Sequence, residues 1–277
     1  MKLLKDVFKF YLHSSIHVGL AVLSLLWATS YFLNNIPGKG LSIFVFCSTI
    51  ATYNFIKYGV EAHKYLIVSN RYHRSIQFFS IANQGLALIY IGQLNKSGLI
   101  LLLFVAFLIA IYAIPIYPRL KNLRNYGIPK VLLVALVWTL ITSLLPMLQF
   151  DVVWGWDRYL DLTQRFLLIL VLMVPFEIRD LNVDLPELRT IPQRIGETAT
   201  KALGYSLAIV YFLLTFLKDD LHPQELMNQA VLLLLLILIL VSTSRRQSEY
   251  YAAFWVEAVP VIWLGVIWVL DLLQLSF

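Results

Sequence analysis

Cysteine is almost absent from this chain: Cys47 is the one thiol in 277 residues. That excludes an internal disulfide and any metal site built on several cysteines, and its place inside an apolar run points to packing. Charge is scarce too, at 14% of residues against 60% hydrophobic, with a mean hydropathy of +0.76. An ordinary soluble domain is thereby excluded, and the chain falls among proteins that cross a membrane many times. Acidic residues are the scarcer sign, 16 against 22 basic, which leaves a net charge of +6. In so apolar a sequence the excess reflects the sidedness of loop charges, and no nucleic acid is expected as a partner. Low-complexity tracts, solenoid periods and linkers are missing as well, so residues 1–277 read as a single transmembrane domain. Met1 to Lys9 reads as a basic amphipathic lead-in to the first span rather than a cleaved leader.

What the chain does have is long apolar runs. Nine stretches are long enough to cross a bilayer, at about 14–34, 41–59, 76–93, 98–116, 130–149, 163–179, 201–217, 227–243 and 252–273. The third is weakest, interrupted by Asn83, Gln84 and Gln93, and the sixth is short. With nine spans, 17 basic residues fall on the side of the N-terminus and 5 on the other. The positive-inside rule then puts the N-terminus in the cytoplasm and the C-terminus opposite, in an inner (plasma) membrane protein among lipids. The basic side also carries three long, proline-punctuated connections, about 59–76, 117–130 and 179–200, where a site would be built.

Three polar clusters lie on that side. At the end of the sixth stretch Glu177, Asp180 and Asp184 fall at i, i+3 and i+7, on one face of a helix. Like charges so spaced repel, and at a membrane edge carboxylates are usually functional. A divalent cation would hold them, and an all-oxygen set suits Mg²⁺ completed by a ligand's phosphates. Pairing of these acids with Arg179, Arg189 and Arg194 is the alternative. The second cluster is Tyr117-Pro118-Arg119-Leu120-Lys121, where a phenol and an ammonium four apart make either an anion clamp or ordinary cytosolic-edge charge. The third runs from Tyr53 and Asn54 through Lys57, Tyr58 and Glu61 to Arg71, His73 and Arg74. Lys57 and Glu61 are spaced for an i, i+4 ion pair or for a binding role.

Glu177…Asp180…Asp184 followed by Thr190-Ile191-Pro192…Gly196, with Tyr117 and Lys121 as a YxxxK motif, resembles the UbiA superfamily of intramembrane prenyltransferases. The resemblance covers essentially the whole chain. It implies an all-α bundle of nine transmembrane helices and transfer of an isoprenyl group from an isoprenyl diphosphate to a lipophilic acceptor, with Mg²⁺. It implies that Glu177, Asp180 and Asp184 hold metal, with Asp180, Asp184, Lys121 and Tyr117 catalytic. Lys57, Arg71, Arg119 and Asn54 would bind diphosphate, while Tyr53, Phe55, Tyr58, Phe176 and Trp138 line an isoprenyl channel. The family's first aspartate-rich motif is not kept: after Asn54, Phe55, Tyr58 and Ala62 stand where its aspartates belong. That departure keeps a second reading open, a non-catalytic isoprenoid-binding membrane subunit. Glu257, a carboxylate inside the ninth stretch, supports a third, a channel or secondary transporter, for which the sequence shows no paired half-repeats with broken helices.

Overall fold

The computed structural model describes residues 2–59, 70–113 and 126–274, and among these every regular element is helical. In chain order the helices are α1 (Lys2–His13), α2 (Ile16–Phe32), α3 (Lys39–Asn54), α4 (Arg71–Tyr90) and α5 (Lys96–Ala113). They continue as α6 (Gly127–Gln149), α7 (Trp156–Asp180), α8 (Ile191–Leu213), α9 (Pro223–Ser242) and α10 (Glu257–Gln274). In the absence of competing water an apolar segment satisfies its backbone only internally, so each apolar run becomes a helix. The described part of each of the nine stretches is indeed helical.

Among the described residues seven helices are long and apolar enough by themselves to cross a membrane, and α1 with α2, bent by 54°, makes up to eight, against the nine stretches expected. The exception is α4, the stretch with Asn83 and Gln84, which also begins on Arg71, His73 and Arg74. Its outer face is nonetheless apolar, with Phe78, Ile81, Leu88 and Ile89 exposed. α1 is the amphipathic lead-in, exposing Leu3, Leu4 and Val7.

Successive helices are neighbours around most of the bundle: α2 on α3, α3 on α4, then α5 through α10 in order, with α10 returning to α2. Two apolar clusters fill it. One joins α2 to α7–α10 through Leu25, Leu168, Leu172, Leu232, Leu236 and Trp263, and the other joins α2 to α3, α5 and α6. Small buried residues, Ala28, Ala135, Ala208 and Ala252, let backbones approach, as dispersion-driven packing in lipid requires.

α7 connects the two polar ends. Near its start Asp161 and Glu225 share the Lys218 ammonium, and Arg158 reaches Asp161 at 2.8 Å. Beside them the buried Arg165 donates to Thr29 Oγ1 at 2.8 Å and lies 5.7 Å over the Trp263 ring. Near its other end lie Glu177 and Asp180, about 24 and 28 Å along the axis from Asp161 at 1.5 Å per residue.

An acid-walled cavity at the end of the bundle

The acidic face is built by continuing α7 past its end. The Asp180 carbonyl accepts from the N–H groups of Val183 at 2.9 Å and Asp184 at 2.8 Å. That extra turn keeps Asp184 on the face that Glu177 and Asp180 began. The loop behind it is closed by α8: Gln193 Nε2 donates to the carbonyls of Asp184 and Leu185, and its Oε1 accepts from the Thr190 N–H at 2.9 Å. So the Thr190-Ile191-Pro192 segment opens α8 and ties it to the acids. Gly196 takes φ 82°, ψ 167°, a left-handed-side conformation a side chain would strain, and kinks α8 one turn later.

α6 brings the cation. Its first residue, Gly127, lies so near the loop that a Cβ there would stand 2.5 Å from Thr190 Cα and 2.7 Å from the Arg189 carbonyl oxygen. The approach carries Lys130 onto the acids: its Nζ is 2.9 Å from Glu177 Oε1 and 3.5 Å from Asp184 Oδ2. Glu177 is 3% exposed, and its other oxygen, Oε2, is buried without a partner. Asp180 is held by Arg179 in a fork of 2.7 and 3.2 Å, and Arg179 also lies 5.2 Å over the Phe176 ring. One arginine pairing the sequence allowed is therefore present. Arg194 instead donates to the Arg189 carbonyl.

These acids and Lys130 form the polar wall of a cavity of about 380 Å³, within the usual size range of ligand sites. Tyr53, Trp138, Met173 and Phe176 line its apolar part, and Glu257 faces in from α10. A second cavity of about 520 Å³, almost wholly apolar, lies between α3, α4, α5 and α6. Tyr53 and Trp138 line both cavities, joined by a 2.7 Å hydrogen bond from the indole N–H to the phenol oxygen.

Other expected site residues lie elsewhere. Asn54 is 1% exposed and faces the break between α1 and α2. Its amide donates to the Ser14 carbonyl and Ser80 Oγ and accepts from Ser15 Oγ, binding α3 to two neighbours. Lys57 is exposed, its ammonium donating to Ser15 Oγ at 3.0 Å. Tyr58, at a lost aspartate position, donates to the His13 carbonyl at 3.3 Å. Arg71 is exposed at the start of α4. Tyr117, Arg119, Lys121, Glu61 and Ala62 lie outside the described residues. Missed from the sequence were Lys130, read only as loop charge, and the meeting of Glu257 with the acidic face. The available signal was placement toward the basic side, Lys130 at the start of the fifth stretch and Glu257 within the first two turns of the ninth.

The donors fit Mg²⁺. They are carboxylate oxygens, one of them buried and unpartnered, and this hard ion keeps few protein ligands, completing its shell with substrate phosphates. Among the described residues no three acidic, histidine or cysteine side chains form a ready-made metal cage.

The molecule is thus an intramembrane helical bundle with an acid-walled cavity at one end, and Tyr53 and Trp138 stand between that cavity and an apolar one. The chain has the UbiA fold. It superposes on a UbiA homologue from Aeropyrum pernix K1 with a TM-score of 0.65 at 14% identity, over 92% of this chain and 98% of that one. A UbiA homologue from Archaeoglobus fulgidus bound to GPP and Mg²⁺ gives 0.60 at 12% identity, over 95% and 99%. A digeranylgeranylglyceryl phosphate synthase gives 0.53 at 13%, over 96% and 97%. No protein-family profile and no curated protein matches the chain in sequence.

Proposed function

We propose that this chain is a UbiA-type prenyltransferase, moving an isoprenyl group from an isoprenyl diphosphate to a lipophilic, membrane-associated acceptor with Mg²⁺ as cofactor. The observation that carries the reading is the union of an oxygen-only acidic face and a large apolar cavity across one aromatic pair, Tyr53 and Trp138. Such a union suits a molecule with a diphosphate head and a hydrocarbon tail. The fold shared with a protein bound to GPP and Mg²⁺ supports it.

Glu177, Asp180 and Asp184 are the residues that would hold the metal. Its chemistry there is to neutralise the diphosphate as it leaves the allylic carbon. Lys121, Arg119 and Tyr117 are assigned to the diphosphate oxygens, with Lys57 and Arg71 from the α3–α4 side, Lys as a point charge and Arg as a fork. Asn54 serves indirectly, fixing Ser15 and through it Lys57. Phe176, Tyr53 and Trp138 offer ring faces to positive charge developing on the isoprenyl carbon.

One alternative has specific support: a non-catalytic isoprenoid-binding subunit. Phe55 and Tyr58 replace two aspartates of the first motif, and Lys130 and Arg179 already neutralise much of the second. Incubation of the purified chain with labelled isoprenyl diphosphates and a native lipid extract, with and without Mg²⁺, separates the two. Mg²⁺-dependent diphosphate release is expected; binding without release under every condition would favour the alternative.

A further inference from the structure

We propose that Lys130 is a built-in counter-ion that keeps metal off the acidic face until a diphosphate arrives, so that metal and diphosphate seat together. The inference deepens the prenyltransferase reading and rests on it.

The starting point is that a cation already occupies the place between two of the three carboxylates. Lys130 Nζ contacts Glu177 and Asp184 at 2.9 and 3.5 Å, with side chains only 15%, 4% and 18% exposed. Arg179 neutralises the third acid, Asp180. A face of three negative charges is thereby left with one, and a dication approaching it alone meets an ammonium first. The ammonium cannot be carried away by backbone motion at little cost. Gly127 sits against the backbone of Arg189 and Thr190, and Gln193 clamps the loop carrying Asp184. Only the Lys130 side chain is free to move.

A diphosphate changes the balance in two ways. An ammonium has three protons, and Glu177 and Asp184 take two, leaving one for a phosphate oxygen on the cavity side. Drawn toward that oxygen, Lys130 loosens its hold on Asp184, the longer contact. Glu177 lines the cavity, and its buried, unpartnered Oε2 is then the acceptor for a metal whose remaining ligands are phosphate oxygens. Metal alone is held off by the two cations, and metal with diphosphate is held well.

The test measures Mn²⁺, as a paramagnetic substitute for Mg²⁺, by electron paramagnetic resonance on the purified full chain in nanodiscs. It is run with and without the S-thiolo analogue of GPP, which cannot ionise at the allylic carbon as readily. Wild type is expected to retain Mn²⁺ only with the analogue. Lys130→Met, which keeps length and removes charge, is expected to bind Mn²⁺ unaided, while Lys130→Arg behaves as wild type. Wild-type binding of Mn²⁺ without the analogue as tight as with it overturns the proposal. So does a folded Lys130→Met that binds no more Mn²⁺ than wild type. If Lys130→Met does not fold, the wild-type comparison alone decides. Failure of the analogue to bind wild type under any metal condition instead sinks the prenyltransferase reading, and this inference with it. Analogue binding with Mn²⁺ already seated sinks this inference only.

Discussion

Gly127→Ala is the perturbation that tests how the site is assembled, because it adds one methyl group at a place where α6 touches the acid-bearing loop backbone to backbone. The added Cβ would stand 2.5 Å from Thr190 Cα, 2.7 Å from the Arg189 carbonyl oxygen and 2.7 Å from the Thr190 nitrogen. Carbon atoms rest at about 3.5 Å or more, so the helix start must withdraw by roughly 1 Å. Neither neighbour is a flexible side-chain end, and overpacking of this kind costs about 1–3 kcal/mol. A melting temperature lower by several degrees follows, at about 2–4 °C per kcal/mol for a chain of this order of size. The same withdrawal carries Lys130 away from Asp184, where its 3.5 Å contact has little to spare. Gly265→Ala is the control: it lies in α10 with open space around its Cβ, and alanine there should be neutral or stabilising by up to about 1 kcal/mol. Thermal melts in one detergent, followed by Mg²⁺–diphosphate affinity, provide the assay. Equal melting temperatures and unchanged affinity for the two variants would refute the account of how Lys130 is positioned.

Other outcomes follow from the same geometry. Lys218→Met strands the Asp161 and Glu225 carboxylates and should cost about 3–5 kcal/mol in a denaturant or thermal melt. Burial alone would lower the Lys218 pKa, but Asp161 and Glu225 outweigh it and raise it. A folded-state value above the unfolded one of about 10.4 gives stability that is complete below that pH and lost as pH rises through the higher value. Wild type should therefore lose stability in strong alkali by a step that Lys218→Met lacks. Lys57→Ala should weaken diphosphate affinity at saturating Mg²⁺ by about 1.5–3 kcal/mol while Glu61→Ala changes little; equal small effects would remove Lys57 from the site. A phosphatase or fluorescent reporter fused to the C-terminus should report the side opposite the cytoplasm, and a cytoplasmic signal would contradict the topology read from loop charge.

How legible the molecule was depended on the range of the interaction concerned. The helices were readable because apolar length is a local property, and α4 was the uncertain stretch in both readings because Asn83 and Gln84 lower its apolarity wherever it lies. Glu177, Asp180 and Asp184 were readable as one face because helical period is local too. Asn54 was misleading for the opposite reason. Its motif position suggested phosphate, but its amide is taken up by Ser14, Ser15 and Ser80, which only packing brings near.

By itself, then, the sequence determined a helical membrane bundle and the single helix face shared by Glu177, Asp180 and Asp184. Each follows from composition or from spacing within one turn or two of chain. Only the tertiary structure decided which cation meets those acids, that Tyr53 and Trp138 stand between two cavities, and that Glu257 looks into the first. Lys130 reaches Asp184 across 54 residues because Gly127 lets two backbones touch. Such contacts depend on how helices dock, and docking in lipid is set by shape at the interface, which no local periodicity encodes.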